Sequence, residues 1–476
     1  MPSAKPFIIL PKHFAPKKVQ NVQESENATK KGDKHQKKGK KQFEKQQPSV
    51  KEVKPWYQEK TLQAPQGSLL VKSGDSWYSQ YKGVFSKESP SADSPHLLLS
   101  DQLSQMSEKI EVLYREQHSF YVSQLSVTGG GVSDKNWLNS VIQAGTWSDK
   151  IAALSLKVQE SPFYNLEALD LLIGIALNKD IRTAGMAVEA LKDLFLNSLL
   201  PNDRPLYNFA HLPFTKPEFT VKHALLGWYE KELRLRYIRV LQVVEKSLKA
   251  NLMYFRRAAL TTVYDLLLAK PEQESKLLSM IVNKIGDSDG KIVSKAQELL
   301  KELLKKHTAM KAVIVYEVRV FIQRQLSKIP VLFHAITFLN QIQVHASEVK
   351  AAVLLAECHL SLFELALQAK EKGSRLLSAL LTGINRVFPK ITVLGDLVKY
   401  VDTIFRLVHT ARSKAASTQA LILLSHLVFD ASNGKKIESG GKAQIANRFY
   451  QTLYNKLMTD QACVSAYLLY SLCVSI

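Results

Sequence analysis

The 476-residue sequence has few cysteines and no long apolar run. Cys358, Cys463 and Cys473 are too few for a disulfide framework and match no C-x-x-C spacing, which favours a reducing compartment. No segment approaches the roughly 18 uninterrupted apolar residues that a membrane span requires, and Phe7–Leu10 is too short an apolar run for a signal peptide. We therefore expect a soluble intracellular protein without a membrane partner.

Motifs for catalysis are also missing. The sequence contains no G-x-x-x-x-G-K-[ST], no H-E-x-x-H and no G-x-S-x-G. The triple glycine Gly129–Gly131 follows no strand pattern, which argues against a phosphate-binding loop. His334, His345 and His359 lie inside helical patterns, where a lone histidine is typical of a hydrogen-bonded core or surface residue. These features predict no enzyme, no cofactor and no metal site.

Positive charge, by contrast, is abundant. The chain has 64 Lys and Arg residues against 43 Asp and Glu residues, a formal net charge of +21, which favours a polyanionic partner such as nucleic acid. The first sixty residues hold fifteen Lys, no Arg and six acidic residues. Such a segment cannot bury enough apolar surface to order itself. We predict a disordered tail over 1–95 whose basic cluster is a nuclear or nucleolar address and a non-specific phosphate-binding segment; its lysines are Lys30, Lys31, Lys34, Lys37, Lys38, Lys40 and Lys41.

Short aromatic islands interrupt this tail. They lie at Phe7–Leu10, at Trp56 and Tyr57, and at Trp77 and Tyr78. Aromatic residues are scarce in inert linkers, so the islands are either docking peptides that order on a partner or segments that pack against the folded part of the same chain. The sequence alone leaves both readings open.

From about Ser100 onward the apolar residues repeat with helical period and show no strand-like alternation. The segment 96–127 predicts an isolated amphipathic helix. Over 134–372, pairs of amphipathic helices recur every 35–45 residues or so, and each is unable to bury its apolar face alone. The sequence therefore predicts an all-α fold, a HEAT-like α-solenoid preceded by the disordered basic tail.

The stretch Asp287-Ser288-Asp289-Gly290 resembles part of a calcium loop. Counted from Asp287, however, the fifth position is Lys291 and the glycine stands at the fourth position instead of the sixth. We predict instead the turn of a helical hairpin, in which Gly286 ends the first helix in a left-handed conformation and an aspartate caps the second. The apolar face of that second helix is predicted to be Ile292, Val293, Ala296, Leu299, Leu300, Leu303 and Leu304.

A helix over residues 228–249 would separate apolar from basic residues. At 100° per residue its apolar side is Leu233, Tyr237, Leu241, Val244 and Leu248. Basic side chains fall on the other side and continue into the next helix, where they could follow phosphates, although an ordinary solvated face has the same pattern. The candidate RNA-facing residues are Arg239, Lys246, Lys249, Arg256 and Arg257.

Several long runs resemble one known family. They include SDKIAALSLKVQESPFYNLEALD from Ser148, KPEQESKLLSMIVNKIGDSDGKIVSKAQELL from Lys270 and VDTIFRLVHTARSKAASTQALILL from Val401. These runs are similar to the nucleolar complex protein one family, and the last resembles the opening of its CCAAT-binding-factor domain. The resemblance implies that 373–476 is the start of that helical domain. Because the family's domain continues past Tyr454, we expect a truncated or alternative product.

The resemblance also implies a function. It implies a non-catalytic nucleolar scaffold in large ribosomal subunit assembly that acts on pre-ribosomal RNA with a nucleolar complex protein two-like partner and other assembly factors. The names of the family's vertebrate members further imply a role in transcription. The alternatives are therefore a transcription regulator at promoter DNA and an adaptor solenoid that binds only proteins.

Overall fold

The structure is a computed structural model that describes most of the chain beyond residue 99 and two short segments before it. The predicted lysine cluster, Gly129–Gly131, Cys463 and Cys473 lie outside the described residues. The described residues are 69–72, 76–81, 100–127, 132–178, 180–214, 219–345, 348–368, 370–388, 401–410, 414–429 and 439–459.

Helices dominate these segments, and none of the described residues lies in a strand. The α-helices are Ser100–Val127 (α1), Val132–Ala144 (α2), Trp147–Glu160 (α3), Leu166–Ala176 (α4), Ile181–Leu194 (α5), Val221–Leu248 (α6), Met253–Ala269 (α7), Glu274–Asn283 (α8), Gly290–Lys306 (α9), Lys311–Arg324 (α10), Ile329–Leu339 (α11), Val349–Gln368 (α12), Lys370–Val387 (α13), Val401–Thr410 (α14), Lys414–Phe429 (α15) and Ser439–Thr459 (α16). Short 3₁₀ turns cover Trp77–Tyr81, Phe209–His211, Lys284–Gly286 and Thr308–Met310, and Phe195–Leu199 is a π-helical turn.

The chain forms two compact units. One contains the described residues between Ile8 and Gly131 together with those of Tyr207–Lys231, and the other contains Val132–Leu206 and the described residues from Glu232 onward. Helix α6 contributes residues to both. The domain boundaries drawn from the sequence stay predictions.

In the smaller unit, α1 buries apolar side chains that recur at helical spacing. Met106, Ile110 and Leu113 are all buried. The Trp77 side chain is also buried, and its ring meets the Tyr229 ring edge-on at a centroid distance of 5.2 Å. Of the two interpretations of the aromatic islands, packing against the folded part of the same chain is therefore confirmed for Trp77. The islands at Phe7–Leu10 and at Trp56 and Tyr57 lie outside the described residues.

In the larger unit, helices pack against the next helix and the next but one. Helix α3 contacts α4 and α5, α7 contacts α8 and α9, and α13 contacts α11, α12 and α15. This nearest-neighbour pattern is typical of stacked helical pairs, in which each pair completes the core of the one before it. The all-α, solenoid-type prediction is confirmed for the described residues.

Helix α9 illustrates how the pattern becomes a core. All seven residues predicted for its apolar face are buried, and Ala296 is fully inaccessible. Asp289 caps the helix, because its carboxylate accepts a hydrogen bond from the backbone N–H of Lys291 at 2.9 Å. The helical-hairpin interpretation of this stretch is therefore confirmed.

Gly286 has a different role from the one predicted. The preceding helix ends in a 3₁₀ turn over Lys284–Gly286, and Gly286 has no left-handed backbone. A Cβ atom at this position would lie 2.9 Å from Phe321 Cζ and 3.2 Å from Val331 Cγ1. The expectation of a left-handed cap is therefore wrong. Glycine is instead required here because neighbouring side chains approach the backbone closely.

A second close approach joins α11, α12 and α13. Nδ1 of the buried His359 lies next to the Leu355 carbonyl oxygen, and its Nε2 lies 2.8 Å from Asn340 Oδ1. A neutral imidazole carries one N–H and donates it to one of these two oxygens. Asn340 in turn donates to the Ala379 carbonyl at 2.7 Å. A Cβ atom on Gly383 would overlap both His359 and Asn340. Burial lowers the pKa of His359 to about 4, so the imidazole is neutral at pH 7.

Hydrogen bonds made by the side chains of Lys270 and Glu272 hold the loop that follows α5 in place. Lys270 has the extended backbone expected before a proline, and its Nζ atom donates to the Leu200 carbonyl at 2.7 Å. Glu272 accepts hydrogen bonds from the Leu206 N–H at 2.8 Å and from Arg234 Nε at 3.2 Å. Burial lowers the pKa of Lys270, but its bound carbonyl partner compensates for part of the lost hydration.

Among the helices in the described segments, none combines the length and apolar content that crossing a membrane requires. Cys358 is buried and not in a disulfide, and burial raises the pKa of its thiol to about 12. This thiol is therefore protonated and poorly reactive at neutral pH.

Candidate nucleic-acid interface

Helix α6 separates its apolar and basic residues as the sequence predicts. Its five predicted apolar residues, from Leu233 to Leu248, are buried. Arg239, Lys246 and Lys249 are exposed. The predicted orientation of the helix is therefore confirmed, whereas binding of RNA by these side chains stays a prediction.

The exposed cations differ in how far their charge is already balanced. Arg239 has a side chain that is 64% exposed and lies 4.0 Å from the Asp170 carboxylate, which Arg236 binds more closely at 2.7 Å. Lys249 pairs with Glu245 at 2.9 Å, and its hydrogen bond lowers the pKa of that carboxyl. Lys246 has no ion-pair partner within the described part of the chain, so its charge is the most available of the three.

Arg256 does not share this exposed surface. Its guanidinium lies against Asp287 and 3.7 Å from Asp289, and its side chain is largely buried. Lys284 also pairs with Asp287, at 2.8 Å. Burial alone would raise the pKa of Asp287, but the hydrogen bonds from Lys284 and the Asp289 N–H and the two nearby cations outweigh it, so this pKa lies below its usual value. Arg256 therefore stabilises the α8–α9 turn.

The two aspartates of that turn are fully engaged by backbone N–H groups and cations. Asp287 accepts from the Asp289 N–H at 3.1 Å in addition to its ion pairs. In the described segments no group of three or more His, Cys, Asp or Glu side chains is arranged to hold a metal ion.

Arg257 and Lys246 both line one cavity of about 510 Å³. The cavity is formed by the end of α4, α5, the end of α6 and the start of α7, all within the larger unit. We refer to it as the Tyr254 cavity, because the most exposed aromatic side chain of its lining is Tyr254. Leu177 and Ile181 line it as well.

Sequence reasoning missed Tyr254. Its neighbours Met253 and Phe255 are equally apolar, so no pattern distinguishes the exposed residue from the packed ones. Phe255 packs near Gly185, where an added Cβ atom would lie 3.5 Å from its ring, whereas the Tyr254 side chain is 74% exposed. Only packing decides which ring faces the solvent.

The tail lysines Lys30, Lys31, Lys34, Lys37, Lys38, Lys40 and Lys41 lie outside the described residues. Their proposed contacts therefore depend on composition alone.

The sequence matches no protein-family model. It does match curated proteins over most of its length. It is 30% identical over 402 residues to CCAAT/enhancer-binding protein zeta of Mus musculus, covering 82% of this chain and 36% of the mouse protein. It is 32% identical over 392 residues to ribosome biogenesis protein NOC1 of Chaetomium thermophilum, covering 70% of this chain and 36% of that protein. Nucleolar complex protein 1 of Drosophila melanogaster is 29% identical over 377 residues, or 75% of this chain and 31% of that protein.

The chain is a homologue of the nucleolar complex protein 1 family. The family resemblance inferred from the sequence is thereby confirmed. The chain spans about a third of the length of these family members. Their names refer to ribosome biogenesis, to the nucleolus and to CCAAT/enhancer binding.

Proposed function

We propose that the chain acts in ribosome biogenesis as a non-catalytic nucleolar scaffold for the large subunit, binding pre-ribosomal RNA and partner assembly factors. The observation that carries this proposal is the similarity to relatives named for ribosome biogenesis and for the nucleolar complex. A nucleolar complex protein two-like partner is part of the same proposal.

The geometry is compatible with a scaffold. Stacked helical pairs offer long surfaces on both sides, and solenoid proteins use such surfaces to bind extended partners. The exposed cations of α6 and Arg257 of α7 provide charge for phosphate contacts on the larger unit. The lysine cluster of the tail would add sequence-independent affinity and a nucleolar address.

The most direct test is RNA–protein crosslinking in purified large-subunit precursors, with the site identified on both molecules. We expect crosslinks from the tail and from the helical repeats, together with co-sedimentation of the chain with the precursors. Crosslinks restricted to residues 1–60 would favour a protein-only adaptor for the helical part. Pre-ribosomes assembled normally without the chain would refute the proposal.

The address function of the tail has its own test. Replacing its seven cluster lysines with Gln removes the charge but keeps the length, so we expect reduced nucleolar accumulation. A matched variant with seven Lys→Arg substitutions keeps the charge and should localise normally. Unchanged localisation of the Gln variant would mean that the address lies elsewhere.

A role in transcription is the second candidate, because the mouse relative is named for CCAAT/enhancer binding. A promoter-binding protein should prefer a duplex that contains the CCAAT sequence over a scrambled duplex of the same composition. Equal affinity for both would remove this candidate, since phosphate contacts alone do not distinguish sequences.

A further inference from the structure

The Tyr254 cavity combines an apolar lining, an exposed aromatic ring and two exposed cations on residues of the larger unit. Its volume of about 510 Å³ falls within the range of about 300–1,000 Å³ that is typical of small-ligand sites. Its lining is largely apolar, and two of its apolar members, Leu177 and Ile181, are 54% and 46% exposed. Exposed apolar side chains around a concave site are typical of a binding surface.

The exposed ring at this site is suited to stacking. Tyr254 is 74% exposed, and its ring is held edge-on against Phe255 at a centroid distance of 5.4 Å. Phe255 lines the same cavity. An aromatic ring that is anchored on one side and open on the other offers a flat face to a nucleobase, and every base can stack on such a face.

The charges at the cavity favour a polyanion. Lys246 and Arg257 line it, both are exposed, and neither has an ion-pair partner in the described segments. Lys192 also lines it but already lies 3.7 Å from Asp193, and Glu189 is the one acidic residue in the lining. An acidic peptide could use the same two cations, but an exposed ring beside unpaired cations is the combination by which proteins bind single-stranded nucleic acid.

We propose that the Tyr254 cavity binds an unpaired RNA nucleotide, with its base stacked on Tyr254 and the adjacent phosphates in contact with Lys246 and Arg257. The RNA must be single-stranded at this point, because a base within a helix presents no free face. Recognition by stacking tolerates all four bases, so the site selects unpaired RNA without selecting a sequence. This assignment rests on the proposed RNA-binding function and gives it a location.

The test uses the full chain with the seven tail lysines replaced by Gln, so that binding by the tail does not mask the cavity. The probe is a fluorescein-labelled 12-nucleotide oligouridine, and the dissociation constant is measured by fluorescence anisotropy. We expect Tyr254→Ala to weaken binding by about 5-fold to 100-fold, and Tyr254→Phe to retain affinity because it keeps the ring. An abasic oligomer of equal length has no base to stack on Tyr254. Its affinity for the chain with Tyr254 in place should therefore not exceed the affinity of oligouridine for Tyr254→Ala.

Controls separate the site from general effects. Tyr454 is 62% exposed on α16 and does not line the cavity, so Tyr454→Ala should leave the affinity unchanged. Lys246→Gln with Arg257→Gln should reduce the slope of log Kd against log salt by about 1.4, the value for two phosphate contacts on a single strand. The matched pair Lys291→Gln with Lys305→Gln, on exposed positions of α9, should change that slope much less.

The outcomes are distinguishable. If oligouridine binds with strong salt dependence but Tyr254→Ala and the abasic oligomer change nothing, the cavity assignment is refuted while RNA binding stands. If oligouridine binds neither the chain with the substituted tail nor the chain with the natural tail, both proposals fail. If an acidic peptide of alternating Leu and Glu binds more tightly than oligouridine and loses affinity in Tyr254→Ala, the cavity is a peptide site and the RNA assignment is overturned.

Discussion

Gly383→Ala adds a single methyl group inside α13, where helix propensity alone would favour alanine by about 1 kcal/mol. The structure predicts the opposite sign. The new Cβ atom would overlap His359 and the side-chain oxygen of Asn340. Both belong to the buried hydrogen-bonded group that joins α11, α12 and α13.

The magnitude follows from two costs and one gain. Forcing a methyl group into a packed seam costs about 1–3 kcal/mol. Displacing His359 and Asn340 leaves at least one buried polar group without its partner, which costs about 1–3 kcal/mol more. After the propensity gain of about 1 kcal/mol, we expect the free energy of unfolding to fall by about 3 kcal/mol.

Gly174→Ala provides the matched control. Gly174 lies in α4, and a Cβ atom there would meet nothing within 4 Å, so this variant should be neutral or slightly stabilised. Hydrogen–deuterium exchange of peptides from α11–α13 is the preferred assay, because stacked repeats can open locally without global unfolding. Faster exchange should appear in α11–α13 of Gly383→Ala only. Equal protection in both variants, or greater protection in Gly383→Ala, would refute the packing argument.

Three further predictions concern buried groups. The pKa of His359 is lowered from its ordinary value to about 4, so its contribution to stability is complete above about pH 6.5 and is lost as the pH falls toward 4. Denaturant unfolding should therefore show that the free energy of unfolding falls by about 3 kcal/mol over this pH range. This decrease should be absent in His359→Gln and present in His345→Gln. Ala296→Arg places a charge in a fully inaccessible seam and should cost a few kcal/mol; an unaltered melting temperature would contradict the assigned face of α9. Asp287→Ala leaves the largely buried Arg256 and Lys284 without their shared carboxylate and should cost about 3 kcal/mol, measured by thermal unfolding against the exposed control Glu298→Ala.

The faces of α6 and α9 could be predicted from the sequence because helical period is a local property. Residues three and four apart share a side of a helix whatever the helix packs against, so the buried set of α9 follows from spacing alone. The capping role of Asp289 is equally local, since it depends on a backbone N–H only two residues away. The charge of the chain and its likeness to a known family are also properties of the sequence as written.

The roles of Gly286, Arg256 and Tyr254 could not be predicted in the same way. Gly286 is required because Phe321 and Val331 approach it from other helices, and the charge of Arg256 is balanced by a carboxylate 31 residues later in the chain. Tyr254 is exposed because its neighbour Phe255 takes the place beside Gly185. Such contacts join residues far apart along the chain, and only the stacking of one helical pair on the next determines which of them meet.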